Sequence, residues 1–274
     1  MIRKVLKGWI ARNIFDGFVN REFTPVKELN ISENESIDVN LYNDLGLLRI
    51  KNLFTQEQID CWREEIRTNL ISSGNKNSYL TDNSHYYSAP MDILPSALNI
   101  IANEKLVARI EEILGRERRF IGHDSVTYNF SQPGIDDDQN SYRNVYGFDF
   151  QGEVSEIRVL FNLNGWKTPA QLFGYVPGSH LRKTDKFDVK LAKRQIKWVE
   201  VSFGDVILFN PRLLHTADKL TNEKYMIVLT YDRESEKLKL VYDDLVAKRG
   251  QGTRPQSMLW KTLVPFNLCP SHLG

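Results

Sequence analysis

The residues able to do chemistry gather in the second half of the chain, and they come in a definite order. Asp149 lies in YGFDFQGE, just ahead of a β-rich stretch. PGSH follows at Pro177 to His180, the segment FGDVILFNPRLLH ends at His215, and Lys224 opens the next apolar run. A carboxylate and an imidazole can ligate a divalent metal or carry protons, and an ammonium can hold an anion as a point charge. Arg158, in EIRVLFNLN, alternates with apolar neighbours. It either points inward toward an acidic substrate or faces solvent on a one-sided strand.

These residues need a scaffold, and the apolar pattern supplies one. From about residue 119 the runs RFIGHDSVTYNF, EIRVLFNLN, LFGYVPG, IKWVEVSF, DVILFN and KYMIVLTY are short, β-branched and aromatic-rich, with Gly, Pro and Asn between them. Such spacing predicts a closed or sandwiched antiparallel sheet of the jelly-roll or cupin class, mainly β with flanking helices. The polar segment SQPGIDDDQNS between the first two runs reads as an active-site lid over 131–144. Upstream, LGLLRIKNLF predicts a strand leading to a helix capped by Thr55 with Gln58 three residues on, a capping box. Ile59, Trp62, Ile66 and Leu70 form the apolar stripe of that helix. A second helix is expected over 96–114, opened by Ser96 after Pro95 and closed by Gly115. Residues 2–19 place apolar side chains at helical spacing opposite Arg3, Lys4, Lys7 and Arg12. That helix either lies on an anionic membrane surface, a peripheral contact, or packs its stripe on its own domain. The expected organisation is an N-terminal helix and linker at 1–40, a double-stranded β-helix (jelly-roll) barrel at 41–235, and an extension at 236–274 packing on it.

On these segments the chain resembles the phytanoyl-CoA dioxygenase family of iron- and 2-oxoglutarate-dependent oxygenases, over roughly residues 40–235. GLLRIKNLFTQEQIDCWREEI is similar to the family's first strand and helix, and VPGSH and GDVILFNPRLLH are its most distinctive segments. The resemblance implies Fe(II) and 2-oxoglutarate as cofactors, with iron held by an H-x-D motif and a distal histidine. An arginine on the following strand would pair with the far carboxylate of the keto acid. Carried over, Asp149 matches the carboxylate ligand and His215 the distal histidine. The first histidine of H-x-D falls on Gly147, which has no donor, and the co-substrate cation falls on Lys224 rather than arginine. Two imidazoles and a carboxylate hold Fe(II) on one face and leave positions open for keto acid and dioxygen. Losing one of them weakens metal binding, and a lysine replaces a bidentate fork with a point charge.

Besides an unrelated structural or interaction role, in which the N-terminal basic helix docks on a membrane or on an assembly that makes surface polymers, three readings follow. The chain is an oxygenase with an altered site acting on a small organic or a lipid- or sugar-linked substrate, or a catalytically inactive pseudoenzyme that binds a small acid or a partner. In the third it is an engineered ligand-deletion variant, since one substitution turns G-F-D into H-F-D. His123, on the first barrel strand, is a candidate substitute ligand or a satisfied wall residue. Tyr128 and Asn129 either bond the co-substrate carboxylate or satisfy the wall, and Tyr146 is an oxygen donor or packing. His180 reads as structural, His85 as a surface-loop residue, and His272 as terminal.

Composition narrows the classes further. Of 274 residues, 41% are hydrophobic, and 36 Lys plus Arg face 35 Asp plus Glu, a net charge of +1. A near-neutral chain offers no general electrostatic attraction for nucleic acid. Two cysteines, Cys61 and Cys269, are too few for a disulfide framework. No apolar run approaches the ~20 residues a membrane helix needs, so cytoplasmic residence is expected. Composition leaves the oligomeric state open.

Overall fold

The computed structural model describes residues 30–32, 35–66, 68, 78–81, 84–88, 96, 98–120, 125–128, 156–163, 171–181, 195–217, 225–236, 238–240, 261, 264–266 and 268–269. The helix expected at 2–19, the lid at 131–144, and Gly147, Asp149, His123, Asn129, Tyr146 and Lys224 lie outside them.

The first described elements are strand β1 (Asn30–Ser32), helix α1 (Val39–Leu45), strand β2 (Leu47–Lys51) and helix α2 (Gln56–Glu65). Thr55 caps α2 as its sequence predicts: its hydroxyl accepts from the Gln58 backbone while the Gln58 side chain accepts from the Thr55 backbone. A hairpin of β3 (Ser78–Thr81) and β4 (Ser84–Ser88) comes next, so His85 sits on a strand rather than in the expected loop. The helix expected over 96–114 is two, α3 (Leu98–Ile101) and α4 (Glu104–Leu114). The break lies at Asn103, whose side chain accepts from the Leu106 backbone and starts a new helix. Likewise the run from 119 forms two strands, β5 (Arg118–Phe120) and β6 (Ser125–Tyr128), both paired with the same later strand.

Six more strands complete the frame: β7 (Glu156–Asn162), β8 (Gln171–Tyr175), β9 (Lys197–Val201), β10 (Val206–Phe209), β11 (His215–Ala217) and β12 (Tyr225–Arg233). The larger sheet runs β1-β2-β10-β7-β12-β6-β4-β3, with β5 also on β12, and the smaller runs β11-β8-β9. Among the described residues only the β1–β2 pair is parallel. From β7 onward the chain crosses repeatedly between the sheets: β7, β10 and β12 lie in the larger, and the consecutive pair β8 and β9, then β11, in the smaller. That crossing is what a jelly roll requires.

All seven residues of β7 are buried, because both faces of the larger sheet are covered. Register puts Ile157, Val159 and Phe161 on one face with Leu208, Val206, Leu229 and Tyr231. Helices cover that outer face: the Phe54 ring packs between Trp62 and Phe161 at 5.0 and 5.3 Å, and the Tyr231 hydroxyl donates to the Ile101 carbonyl at 2.9 Å. The opposite face carries Arg158, Leu160 and Asn162 with Phe209, Ile207 and Thr230, and it looks toward the smaller sheet. Contacts across the gap confirm this direction, since Phe209 meets Phe173 of β8 at 5.3 Å and Asn162 Nδ2 donates to the Val201 carbonyl of β9 at 3.0 Å.

The turn between β9 and β10 is welded to β2 by Asp205. Its carboxylate accepts from the backbones of Ser202 at 2.8 Å and Asn52 at 3.0 Å, and from Arg49 Nε at 2.8 Å. The residue 264–269 region closes the core from another side, with the Leu268 carbonyl accepting from Phe120 N at 2.9 Å. No helix among the described residues is long and apolar enough to cross a membrane.

Candidate functional site

The placement of His215 is decided by the five residues that carry the chain from β10 in one sheet to β11 in the other. In NPRLL, the Asn210 carbonyl accepts from Leu213 N and its side chain accepts from Arg212 N, each at 2.9 Å, which closes a tight turn. The turn is then gripped from outside by PGSH. Ser179 Oγ accepts from Leu214 N at 2.9 Å, and the Leu214 carbonyl accepts from Val176 N at 2.9 Å. PGSH in turn holds the end of α1: Gly178 N donates to the Leu45 carbonyl at 3.2 Å, and His180 Nε2 donates to the Asn43 carbonyl at 2.8 Å.

His180 is therefore structural, as its sequence context predicts. It is buried, and burial lowers its pKa, with the Asn43 hydrogen bond opposing that shift and Arg212 adding to it. Its ring packs over Gly46, the residue that ends α1 with a φ of +80°. A Cβ at Gly46 would stand 2.5 Å from His180 Nδ1, so glycine is required there twice over.

His215 opens β11 opposite Tyr175 of β8. Its ring is half-buried, stacked on Phe173 at 5.6 Å with an interplanar angle of 10° and tilted against Phe209 at 4.9 Å. Nδ1 lies 2.7 Å from the Leu213 carbonyl. A carbonyl only accepts, so this contact places a proton on Nδ1 and leaves Nε2 as the ring nitrogen able to act as a ligand in the Nδ1-protonated tautomer. A divalent transition metal takes that form of imidazole, and a backbone carbonyl behind it is the usual orienting partner. The donor fits. No group of three His, Cys, Asp or Glu gathers among the described residues, and Asp149 and Gly147 lie outside them.

Arg158 is inside the barrel, not on its surface, at 4% exposure. It pairs across the sheet with Thr230 on one side and Phe209 on the other, the same Phe209 that touches the His215 ring. Arg158 Nη1 donates to Thr230 Oγ1 at 2.6 Å, and Nε faces Glu156 Oε1 at 3.3 Å. Tyr42 of α1 completes this polar group. Its side chain is fully buried and its hydroxyl has no hydrogen-bond partner. Burial, and then the charge of nearby Glu156, push the phenol well above its ordinary range, so it stays protonated.

Among the sequence candidates, then, His215 and Arg158 come together in one interior. Tyr128 ends β6 on the far side of β12, paired with Tyr225. Glu156, Thr230 and Tyr42 were not singled out from the sequence. Strand alternation could have found the first two, since Glu156 is two residues from Arg158 and Thr230 faces it across the register. Nothing in the sequence around Tyr42 marks it, because a helix only seven residues long brings it there.

No protein-family model matches the chain, and no curated protein matches it by sequence. Solved structures do match. The non-heme α-ketoglutarate-dependent carbocyclase SnoK from nogalamycin biosynthesis aligns over 73% of this chain and 85% of its own, at 18% identity and a TM-score of 0.58. The fold is that of the jelly-roll 2-oxoglutarate oxygenases. HygX from Streptomyces hygroscopicus, solved with nickel, 2-oxoglutarate and hygromycin B bound, aligns over 71% of this chain and 86% of its own at 15% identity and a TM-score of 0.54. The epimerase SnoN, also from nogalamycin biosynthesis and α-ketoglutarate-dependent, aligns over 80% and 92% at 14% identity and a TM-score of 0.58. At such identities the likeness is one of fold.

Proposed function

We propose that this chain is an Fe(II)- and 2-oxoglutarate-dependent oxygenase with an altered metal site, acting on a small organic or a lipid- or sugar-linked substrate. The observation that carries the reading is His215, an imidazole with its Nδ1 proton fixed on the Leu213 carbonyl, facing the interior of this fold. Solved neighbours support the cofactor assignment, since HygX carries nickel and 2-oxoglutarate and SnoK is α-ketoglutarate-dependent. Asp149 and His215 would hold the metal, Gly147 standing where a third donor is expected. When bound, iron and the keto acid together supply the oxidising chemistry, in which dioxygen is consumed and the keto acid becomes succinate and carbon dioxide. The chain's own residues orient and shield. The Phe173 and Phe209 rings wall the imidazole against water, and the gripped NPRLL turn fixes the direction of its Nε2.

A pseudoenzyme that only binds is the second reading, and Gly147 favours it. Restoring the missing donor separates the two. Gly147→His, assayed with iron, ascorbate and 2-oxoglutarate, should switch on or strongly raise succinate formation, and free imidazole should partly rescue the unsubstituted protein. Folded protein that makes no succinate under either condition would leave only the binding-module reading.

A further inference from the structure

The structure holds a cation deep in the barrel where the resemblance to the oxygenase family offered only Lys224. Arg158 is one cross-strand neighbour from Phe209, and the Phe209 ring lies 4.9 Å from the His215 ring. At 4% exposure its charge is little screened by water. Thr230 Oγ1 accepts a hydrogen bond from Nη1 at 2.6 Å, and Glu156 stands beside the guanidinium as an ion-pair partner, its Oε1 3.3 Å from Nε. A guanidinium so held meets a carboxylate as a planar fork with little further ordering to do.

A separate observation points to a ligand at this end of the barrel. The Tyr42 hydroxyl is fully buried, is kept protonated, feels the Glu156 charge, and has no hydrogen-bond partner. A buried donor with no acceptor is costly, and native proteins rarely leave one so. An acceptor oxygen arriving between Tyr42 and Arg158 would satisfy it.

We infer that Arg158, Thr230 and Tyr42 form the seat of the far carboxylate of the keto acid, so that the co-substrate anchor stands on β7 and not at Lys224. The inference rests on the proposed oxygenase reading, and it assigns Arg158 to the co-substrate rather than to an acidic substrate. Glu156 then has a double part: it orients the guanidinium, and its own charge opposes the incoming carboxylate. Removing that charge while keeping the shape should tighten dicarboxylate binding. In a purely structural ion pair the same change would not.

Binding measured by calorimetry on the full chain, with Mn(II) in place of iron, tests this. Two ligands with the same keto-acid head are compared, 2-oxoglutarate and 2-oxobutyrate, which lacks the second carboxylate. The unsubstituted protein should prefer 2-oxoglutarate by about tenfold or more, the worth of one charge-assisted contact. Arg158→Gln should abolish that preference with Mn(II) affinity and circular dichroism unchanged, Lys224→Ala should keep it, and Glu156→Gln should tighten 2-oxoglutarate binding. Thr230→Val, near-isosteric, is the second variant should Arg158→Gln not fold, and it should lower the preference without touching 2-oxobutyrate. Retained preference in Arg158→Gln, or in Thr230→Val if that variant alone folds, overturns the inference, as does its loss in Lys224→Ala. Protein that binds Mn(II) but shows no preference also overturns the anchor while leaving the metal reading standing. Protein that binds neither Mn(II) nor 2-oxoglutarate overturns both.

Discussion

Among the described residues, two buried carboxylates sit beside arginines and do different work. Asp205 accepts from the backbones of Ser202 and Asn52 as well as from Arg49, and it is nearly inaccessible, with a side-chain exposure of 1%. It is a structural knot. Asp205→Ala would strand the Arg49 charge and two backbone donors, and urea unfolding should show a loss of about 3–5 kcal/mol, the usual cost of breaking a buried pair from one side. Glu156 and Arg158 are a buried pair as well, but they face the interior shared with His215, so substitutions there should move ligand binding in addition to stability. His180 gives a pH dependence whose sign is fixed by burial. Its folded pKa lies below the unfolded value near 6.5, so below that pH the unfolded chain takes up a proton that the folded chain refuses. Its contribution is present above about pH 6.5 and lost as the pH falls. Urea midpoints at neutral and mildly acidic pH should therefore differ more for the natural protein than for His180→Gln, in which an amide can still donate to the Asn43 carbonyl.

At the scale of elements, the distal histidine is positioned by parts that never touch a ligand. The C-terminus of α1, the PGSH turn and the NPRLL crossing form a chain of backbone hydrogen bonds ending one residue before His215. Gly46 is the tightest point in it. Gly46→Ala would need a left-handed φ of +80° and would drive a methyl into the His180 ring and Leu213. The backbone alone costs about 1–2 kcal/mol, and the clash adds to it. Gly178→Ala, with a φ of +70° but only the Asp44 carbonyl close, at 3.3 Å, should cost less. Thermal melts of the two variants will rank them. Thr55→Ala offers a control remote from the site: loss of the α2 capping box should cost about 1 kcal/mol and leave ligand binding unchanged.

For the molecule as a whole, the described residues between the two sheets are mainly apolar, with polar side chains at Arg158, Thr230, Asn162 and His215, and a ligand bound there stabilises the fold by linkage. Mn(II) at 100 times its dissociation constant should add about 2.7 kcal/mol to the unfolding free energy. A thermal shift series will read it, and Asp149→Ala should flatten the series if that carboxylate is a ligand. Gly147→His should move the midpoint of the series to lower metal concentration. A natural protein whose melting point ignores Mn(II) at every concentration would count against a resident metal.

The sequence alone determined much of this frame. Short β-branched and aromatic-rich runs with Gly, Pro and Asn punctuation identified the barrel strands β7 to β10 and β12, because such side chains suit a buried sheet and the chain must turn sharply between strands. Thr55 and Gln58 announced α2, since a capping box is a local device. Resemblance in VPGSH and GDVILFNPRLLH singled out His215 and marked His180 as a turn residue. Other features depended on partners distant in the chain. The split at Asn103 turned on a competition between two nearly equal local structures. β1 and the β3–β4 hairpin are short and carry weak patterns, and pairing with a neighbouring strand is what makes them strands. Arg158 had two open readings, because alternation gives a side chain's face but not what covers that face. Only the packing of the smaller sheet over β7 made that face the inside. Tyr42 comes within the electrostatic reach of Glu156 across more than a hundred residues of chain, a proximity that no local pattern encodes.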